Sequence, residues 1–257
     1  MSARRPESQQ QELWVCHLGT VPYRAASTLQ RQLCAARQGG VIKDTLLLLE
    51  HPPVYTRGRR SADGELPLGE RFYRERGLEV IDTDRGGRVT YHGPGQLVGY
   101  PIMAIDDVGA YLRTMESAIV DALAQVGIAA RARPLDGPDY TGVWVAERKI
   151  ASIGVHVSRA ITTHGFAINV CNDLEPFSWV VACGLAGVSM TSLERESPAR
   201  ADLHCFRRRV AHSFCAAHER RQRLVTPARL RINAPVAPSP EPGREGEREP
   251  MRVPVAA

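Results

Sequence analysis

Hydrophobic and polar positions follow a strand-like pattern in four segments of the chain. LWVCHL (13–18) and TLLLLEH (45–51) predict strands, and the second run is continuously apolar, as expected for a strand covered on both faces. VWVAERKIASIGVHV (143–157) indicates two strands joined by a short polar turn, and ITTHGFAINV (161–170) indicates another.

Three other segments have apolar residues every three or four positions, the spacing of a helix face. They lie at 25–38, before Gly39 and Gly40, at 112–126, before Gly127, and at about 202–218. Strands and helices thus mix without a strict βαβ alternation. We therefore predict an α+β fold in which helices pack on a mixed β-sheet, rather than a doubly wound fold.

The two ends of the chain differ in composition from its centre. Residues 234–257 hold six of the eighteen prolines and no aromatic residue, so they bury too little apolar surface to fold. The first dozen residues are similarly polar. We predict a disordered segment at 1–12, one catalytic domain at 13–222 and a disordered tail rich in Pro, Arg and Glu at 223–257.

The amino-acid composition limits the classes of protein to which this chain can belong. An apolar content of 43% allows a sizeable core. No apolar run approaches the roughly 18 residues that span a bilayer, and the polar start lacks a signal peptide, so we expect a soluble cytoplasmic protein without membrane partners. Six scattered cysteines form no CxxC pair, which argues against a zinc site and a disulfide framework.

Charge adds a second signal. A net charge of +5 favours acidic partners, and RGRR (57–60) with neighbouring arginines could be a landing surface or merely a solvated face. Only two of the 33 basic residues are lysines, Lys43 and Lys149. In a chain that otherwise uses arginine, a lysine favours a role that requires losing a proton.

The segment RGGRVTYHGPGQLVGYP (85–101) holds five glycines and two prolines in seventeen positions. Glycines allow main-chain groups to approach a ligand, and Arg85, Arg88 and His92 supply donors. A tight surface turn is the plainer interpretation. Neither a P-loop nor a dinucleotide-binding fingerprint is present.

Two further residues are candidates for chemistry. Lys149, in ERKIASIG, opens a strand beside apolar Ile150 and Ile153, where lost hydration disfavours its charged form. A lysine that reaches solvent from the strand edge is the alternative. Cys183 lies in a glycine-bearing loop, ACGLAG, and is a better nucleophile candidate than Cys34 or Cys215, which lie in helical patterns; a small buried hydrophobe is the default role of any one free cysteine.

Four blocks in order, RGGRVTYHGPGQLVGYP, TGVWVAERKIASIGVHV, THGFAINV and ACGLAGVSMTSL, resemble the lipoyl(octanoyl) transferase family. The resemblance implies a biotin/lipoate ligase-like α+β fold. It also implies transfer of octanoyl from acyl carrier protein to a lysine of lipoyl domains, those of 2-oxoacid dehydrogenase E2 subunits and glycine cleavage H protein, without a cofactor or metal.

The resemblance also implies residue roles. Cys183 matches the nucleophile that forms the acyl thioester, and Lys149 matches the lysine that lowers the pKa of that thiol. The residues implied to cradle the acyl substrate are Arg85, Gly86, Gly87, Arg88, Val89, Thr90, Tyr91, His92, Ser152, Ile153, Gly154, Gly165, Phe166 and Ala167.

Three alternatives remain at this point. An ATP-dependent lipoate or biotin ligase of the same fold would need no cysteine. A basic nucleic-acid-binding module would use the arginines, but they are dispersed and lack an aromatic stacking motif. A non-catalytic protein that binds lipoyl domains would have no use for Cys183 and Lys149.

Overall fold

The structure is a computed structural model that describes residues 11–181, 187–197 and 201–230. The strands in these ranges are β1 (Glu12–Thr20), β2 (Thr45–Glu50), β3 (Val54–Arg57), β4 (Glu79–Asp82), β5 (Thr90–His92), β6 (Gln96–Ile102), β7 (Arg131–Ala132), β8 (Gly142–Val145), β9 (Arg148–Ser158), β10 (Ile161–Asn169) and β11 (Arg221–Leu224). The helices are α1 (Tyr23–Gln38), α2 (Gly69–Glu75), α3 (Val108–Ala124), α4 (Leu193–Glu196) and α5 (Leu203–Ala217).

Within the described ranges, the main sheet has eight strands in the order β11-β1-β2-β6-β10-β9-β8-β7. β1 runs parallel to both β2 and β11, and the other neighbours are antiparallel. A smaller sheet has the order β4-β3-β5. The predicted α+β fold with a mixed sheet is confirmed.

The apolar run of β2 fills both faces of the main sheet. Leu46 and Leu48 pack in one core cluster, and Leu47 and Leu49 pack in the cluster on the other side. α3 and α5 cover the first face, and α1 covers the second. The three predicted helices and the predicted strands are therefore present, and strand β2 is buried as its sequence indicates.

Two strands of the small sheet, β3 and β4, lie between residues 54 and 82, where the sequence predicts no strand or helix. Its strands have three or four residues, too few to show a clear period. Tyr55 and Tyr73 are fully buried there and pack with Tyr91. This layer holds the glycine-rich segment 85–92 against the main sheet.

Described elements continue beyond residue 222, where the sequence predicts the catalytic domain to end. β11 pairs with β1 through Leu224, and a 3-10 turn follows at Pro227–Leu230, where Leu230 is buried. Glu12 forms ion pairs with Arg221 and Arg223, so a polar strand is held at the sheet edge by charge and main-chain pairing. Residues 231–257 and 1–10 lie outside the described residues.

None of the five helices in the described ranges combines the length and the apolar content that a membrane crossing requires.

Candidate active site

A cavity of about 250 Å³ lies where the glycine-rich segment faces β9 and β10. It brings together residues that are far apart in the sequence. Those predicted from the sequence that line it are Lys149, Arg85, Gly86, Gly87, Arg88, Thr90, His92, Ser152, Ile153, Gly154, Gly165, Phe166 and Ala167.

Two predicted substrate-binding residues do not line this cavity. Val89 and Tyr91 are buried in the apolar cluster under the small sheet. Thr90 and His92 line the cavity because alternate residues of a strand point to opposite faces. The strand period therefore divides the segment into a cavity face and a packing face.

The glycines of the segment allow backbone to pack directly on backbone. Gly86 N donates to Val155 O at 2.9 Å, and a Cβ atom on Gly154 would lie 2.6 Å from Gly86 O. Gly87 has a φ of +87° and its carbonyl accepts from Arg60 N. Larger residues at 86 or 154 would separate the segment from β9 and open the cavity.

The two arginines of the segment are tied to the protein. Arg85 is buried and donates to Thr56 O at 2.6 Å and to Thr56 Oγ1. Arg88 pairs with the buried carboxylate of Glu65 at 2.8 Å and with Asp139 at 3.2 Å. Both guanidinium groups thus shape the cavity wall.

Lys149 is buried, with 2% of its surface exposed, so the alternative of a solvent-reaching lysine is wrong. Its Nζ donates to Asp139 O at 3.4 Å and lies 5.2 Å from the ring centre of Trp144, which is itself fully buried. Lys149 is one of the residues that line the cavity, so its buried side chain faces the cavity rather than bulk solvent.

A buried carboxyl group lies next to the lysine. Glu116 Oε1 accepts from Gly142 N at 2.9 Å, and Arg113 pairs with Glu116 at 2.6 Å. Burial raises the pKa of Glu116, against the lowering effects of the Gly142 amide, Arg113 and Lys149. Glu116 therefore fixes the backbone of β8 beside the amine.

Cys183, the predicted nucleophile, lies outside the described residues. The chain that follows it returns beside Lys149: Lys149 N donates to Ser189 O at 2.9 Å, and Thr191 N donates to Lys149 O at 3.0 Å. This pairing brings the segment six residues after Cys183 to the lysine.

The other thiols are less suited to nucleophilic attack or lie elsewhere. Burial raises the pKa of Cys16 to about 11, that of Cys215 to about 12, and that of Cys34 above its usual value. A raised pKa lowers the thiolate fraction, and the thiolate is the reactive form. Cys171 and Cys205 are exposed and do not line the cavity.

Three ring side chains that line the cavity were not among the residues predicted from the sequence. Tyr23, Tyr100 and His164 line it, on α1, β6 and β10. The other lining residues missed were Arg60, Val108, Leu112, Pro138, Asp139, Thr141 and Val155. A histidine inside the apolar strand ITTHGFAINV was the one available sign, since a buried polar residue needs partners.

Hydrogen bonds define which ring nitrogen of His92 carries the proton. Gln96 Nε2 donates to Tyr91 O and to Asn169 Oδ1, so its Oε1 accepts from His92 Nδ1 at 2.7 Å. His92 then carries its proton on Nδ1, and burial holds its pKa well below the usual value. The imidazole is neutral, with an acceptor nitrogen at Nε2.

Comparison with known proteins identifies the architecture around this cavity. Residues 22–215 match the family described as the lipoyl protein ligase A/B catalytic domain. The chain belongs to this family.

Two sequence relatives within the family are octanoyltransferases. An octanoyltransferase of Solibacter usitatus is 51% identical over 65% of this chain and 76% of its own length. An octanoyltransferase of Mycobacterium tuberculosis is 44% identical over 88% of this chain and 94% of its own length. The predicted membership of the lipoyl(octanoyl) transferase family, and with it an acyltransferase, is confirmed.

A solved structure supports the fold. A bi-partite lipoate protein ligase from Thermoplasma acidophilum has a TM-score of 0.67 and 19% identity, covering 86% of this chain and 91% of that one. Similarity at this identity shows the shared α+β architecture alone. The ATP-dependent ligase alternative is not favoured, because the relatives of higher identity are octanoyltransferases.

Proposed function

We propose that this chain transfers an octanoyl group from acyl carrier protein, through a thioester on Cys183, to a lysine of lipoyl domains. The single observation that carries the proposal is the buried Lys149 in the wall of a cavity, beside the segment that follows Cys183. The similarity to octanoyltransferases over most of the chain supports the same reaction.

The chemistry proceeds by two acyl transfers. The Cys183 thiolate attacks the carbonyl carbon of the carrier thioester, and the bond from this carbon to the carrier sulfur breaks. The carrier sulfur takes up the proton that Cys183 lost and leaves as a thiol. The neutral ε-amine of the lipoyl lysine then attacks the Cys183 thioester, forms an amide and releases the Cys183 thiol. Thioester exchange is nearly balanced in energy and amide formation is downhill, so no cofactor or metal is needed.

Lys149 serves the proton transfers in this proposal. A cysteine has an ordinary pKa near 8.5, so only a few per cent is thiolate at neutral pH. The amine of Lys149 accepts the thiol proton or stabilises the thiolate as an ammonium. An arginine could do only the second, because it keeps its proton in proteins.

The apolar part of the cavity holds the acyl chain. Burial of about seven methylene-sized groups at about 0.8 kcal/mol each contributes on the order of 5 kcal/mol to binding. Ile153, Phe166, Ala167 and the glycine backbones supply the surface for this contact.

The proposed partners are octanoyl-carrying acyl carrier protein and, as acceptors, the lipoyl domains of 2-oxoacid dehydrogenase E2 subunits and the glycine cleavage H protein. The cytoplasm is the proposed location. The arginines at 57–60 are a weaker landing surface than the sequence suggests, because Arg57 pairs with Asp82 and Arg60 with Asp139.

The decisive experiment is intact mass spectrometry after incubation with octanoyl-acyl carrier protein. We expect a gain of about 126 Da, the octanoyl group replacing a thiol hydrogen, and peptide mapping should place it on Cys183. Cys183→Ser should show no thioester, whereas Cys205→Ser, which changes an exposed thiol outside the cavity, should acylate normally. An acyl group on another cysteine would overturn the role of Cys183.

The ligase alternative has its own test. Octanoate, ATP and magnesium are supplied without carrier protein, and acylation of a lipoyl domain is measured. We expect none, and acylation at a rate comparable to that with the carrier substrate would favour the ligase reaction.

A further inference from the structure

Three ring side chains that line the cavity, Tyr23, Tyr100 and His164, contact one another through His164, and we call them the end wall. Each is at least 95% buried, and each lines the cavity. The proposed function uses none of them. Their position relative to Lys149 indicates what they do.

Strand register gives the distance from Lys149 to the end wall. A Cβ atom on Gly142 would lie 2.8 Å from Lys149 Cε, and Gly142 pairs with Ser152, so the amine end of the lysine lies level with Ser152. His164 pairs with Val155, three residues further along β9. Three strand residues span about 10 Å.

An extended acyl chain of eight carbons has a matching length. With bonds of about 1.5 Å and angles near 111°, it spans about 9 Å from carbonyl carbon to methyl carbon. An acyl group whose carbonyl lies near the Lys149 amine therefore ends at the level of His164.

Hydrogen bonds hold His164 in place. Its backbone N donates to Gln30 Oε1 at 2.6 Å, and its Nε2 lies 2.7 Å from Asp84 Oδ1. Because Asp84 can only accept as a carboxylate, Nε2 carries the proton. His164 also has a φ of +57°, a conformation that costs energy outside glycine and is kept only where the surroundings enforce it.

Hydrogen bonds and ring contacts also hold Tyr100 in place. His51 Nδ1 donates to Val21 O at 2.6 Å, so its Nε2 is an acceptor, and the Tyr100 hydroxyl donates to it at 2.6 Å. The rings of Tyr100 and His164 meet edge to face at 6.3 Å. A longer chain would have to break these buried contacts to extend further.

We propose that His164, supported by Tyr23 and Tyr100, sets the acyl chain length that this enzyme accepts. The inference rests on the proposed function, since it takes the acyl group to occupy the cavity. His164 is then a specificity-determining residue that stops the methyl end of the octanoyl chain.

The test is a competition. Wild type and His164→Gly are each given an equimolar mixture of hexanoyl-, octanoyl-, decanoyl- and dodecanoyl-acyl carrier protein, and the acyl-enzyme masses are compared. Glycine suits the positive φ and removes the ring. We expect the decanoyl-to-octanoyl ratio to rise about tenfold, the value for two additional buried methylenes.

Two further variants make the result decisive. Asp84→Ala changes a side chain that is 62% exposed and frees the His164 ring, so a rise of about threefold in the ratio is expected even if His164→Gly does not fold. His212→Ala removes an exposed histidine from α5 and should leave the ratio unchanged.

The outcomes separate the two proposals. An unchanged ratio in folded His164→Gly, or in Asp84→Ala if His164→Gly is unfolded, overturns the role of the end wall while acylation itself continues. Equal acylation of the wild type by all four chains also overturns it. Absence of any acyl-enzyme in the wild type instead contradicts the proposed function.

Discussion

The side chain of Lys149 occupies the space beside Gly142 that a Cβ atom would need, with Lys149 Cε 2.8 Å from that position. Gly142 also has a φ of +140°, and a Cβ atom there would meet Ala151 O on the neighbouring strand even more closely than it meets the lysine. A glycine on one strand therefore makes room for a buried amine on the next.

We expect Gly142→Ala to displace the amine of Lys149 and slow acylation about 100-fold, the effect of a misplacement near 1 Å. The measurement is the single-turnover rate of acyl-enzyme formation. Gly137→Ala is the matched control, since Gly137 has a φ of +103° but nothing within 4 Å of a Cβ atom. Equal rates in the two variants would show that backbone strain, not loss of lysine position, governs the effect.

Replacement of the lysine itself tests proton transfer. Lys149→Arg keeps a positive charge but loses the ability to accept a proton, so acylation at pH 7 should fall about 100-fold. Raising the pH ionises the Cys183 thiol directly, and activity should partly recover. Lys43→Arg, a change at the exposed second lysine, should have no effect. Full activity of Lys149→Arg at pH 7 would remove the proton-transfer role.

Backbone contact between the glycine-rich segment and β9 predicts a different defect. In Gly154→Ala the new Cβ atom would meet Gly86 O at 2.6 Å, so the segment must shift and the acyl cavity should open. We expect a loss of about 1–3 kcal/mol in the free energy of unfolding and a raised KM for the acyl carrier substrate. Gly39→Ala, where the contacts are ordinary, is the control. Wild-type KM and stability in Gly154→Ala would refute the close packing.

Buried histidines predict a loss of stability in acid. Burial lowers the pKa of His51 from 6.5 to about 4, and those of His17 and His218 likewise to about 4. Above pH 6.5 the imidazoles are neutral in both states; as the pH falls from 6.5 towards 4, only the unfolded chain takes up the protons. The free energy of unfolding should therefore fall by up to about 1.4 kcal/mol per pH unit for fully buried His51.

Urea denaturation at pH 7 and pH 5 measures this loss. His51→Gln should reduce its pH dependence, whereas His212→Ala, at an exposed position, should not. Equal stability of the wild type at the two pH values would mean that these histidines become protonated inside the folded chain.

Strands and helices whose own apolar residues form a clear pattern were predicted from the sequence. The run at 45–50 predicted a strand buried on both faces, and the helices at 23–38, 108–124 and 203–217 followed from their apolar spacing. β11, with sequence RQRL, could not be found in this way, because pairing with β1 and charge contact with Glu12 hold it rather than its own apolar residues.

The site residues likewise fall into two groups, those that the sequence indicates and those that only the fold reveals. Lys149 and the residues at 85–92 stood out through glycine content and the scarcity of lysine. Tyr23 and His164 did not, because they are 141 positions apart and meet only when α1 packs on β10. Ring side chains in a strand or helix are ordinarily core residues, so only the fold reveals that these face a cavity.

The position of β11 has a consequence for synthesis on the ribosome. β1 is synthesised before the other strands of the described chain, yet its outer neighbour, β11, is the last of them. Until residue 224 leaves the exit tunnel, the β1 edge of the nascent sheet has unpaired amides and carbonyls that can bind other chains. A stalled or terminated product that lacks β11 should therefore depend on chaperones more than a product that contains it.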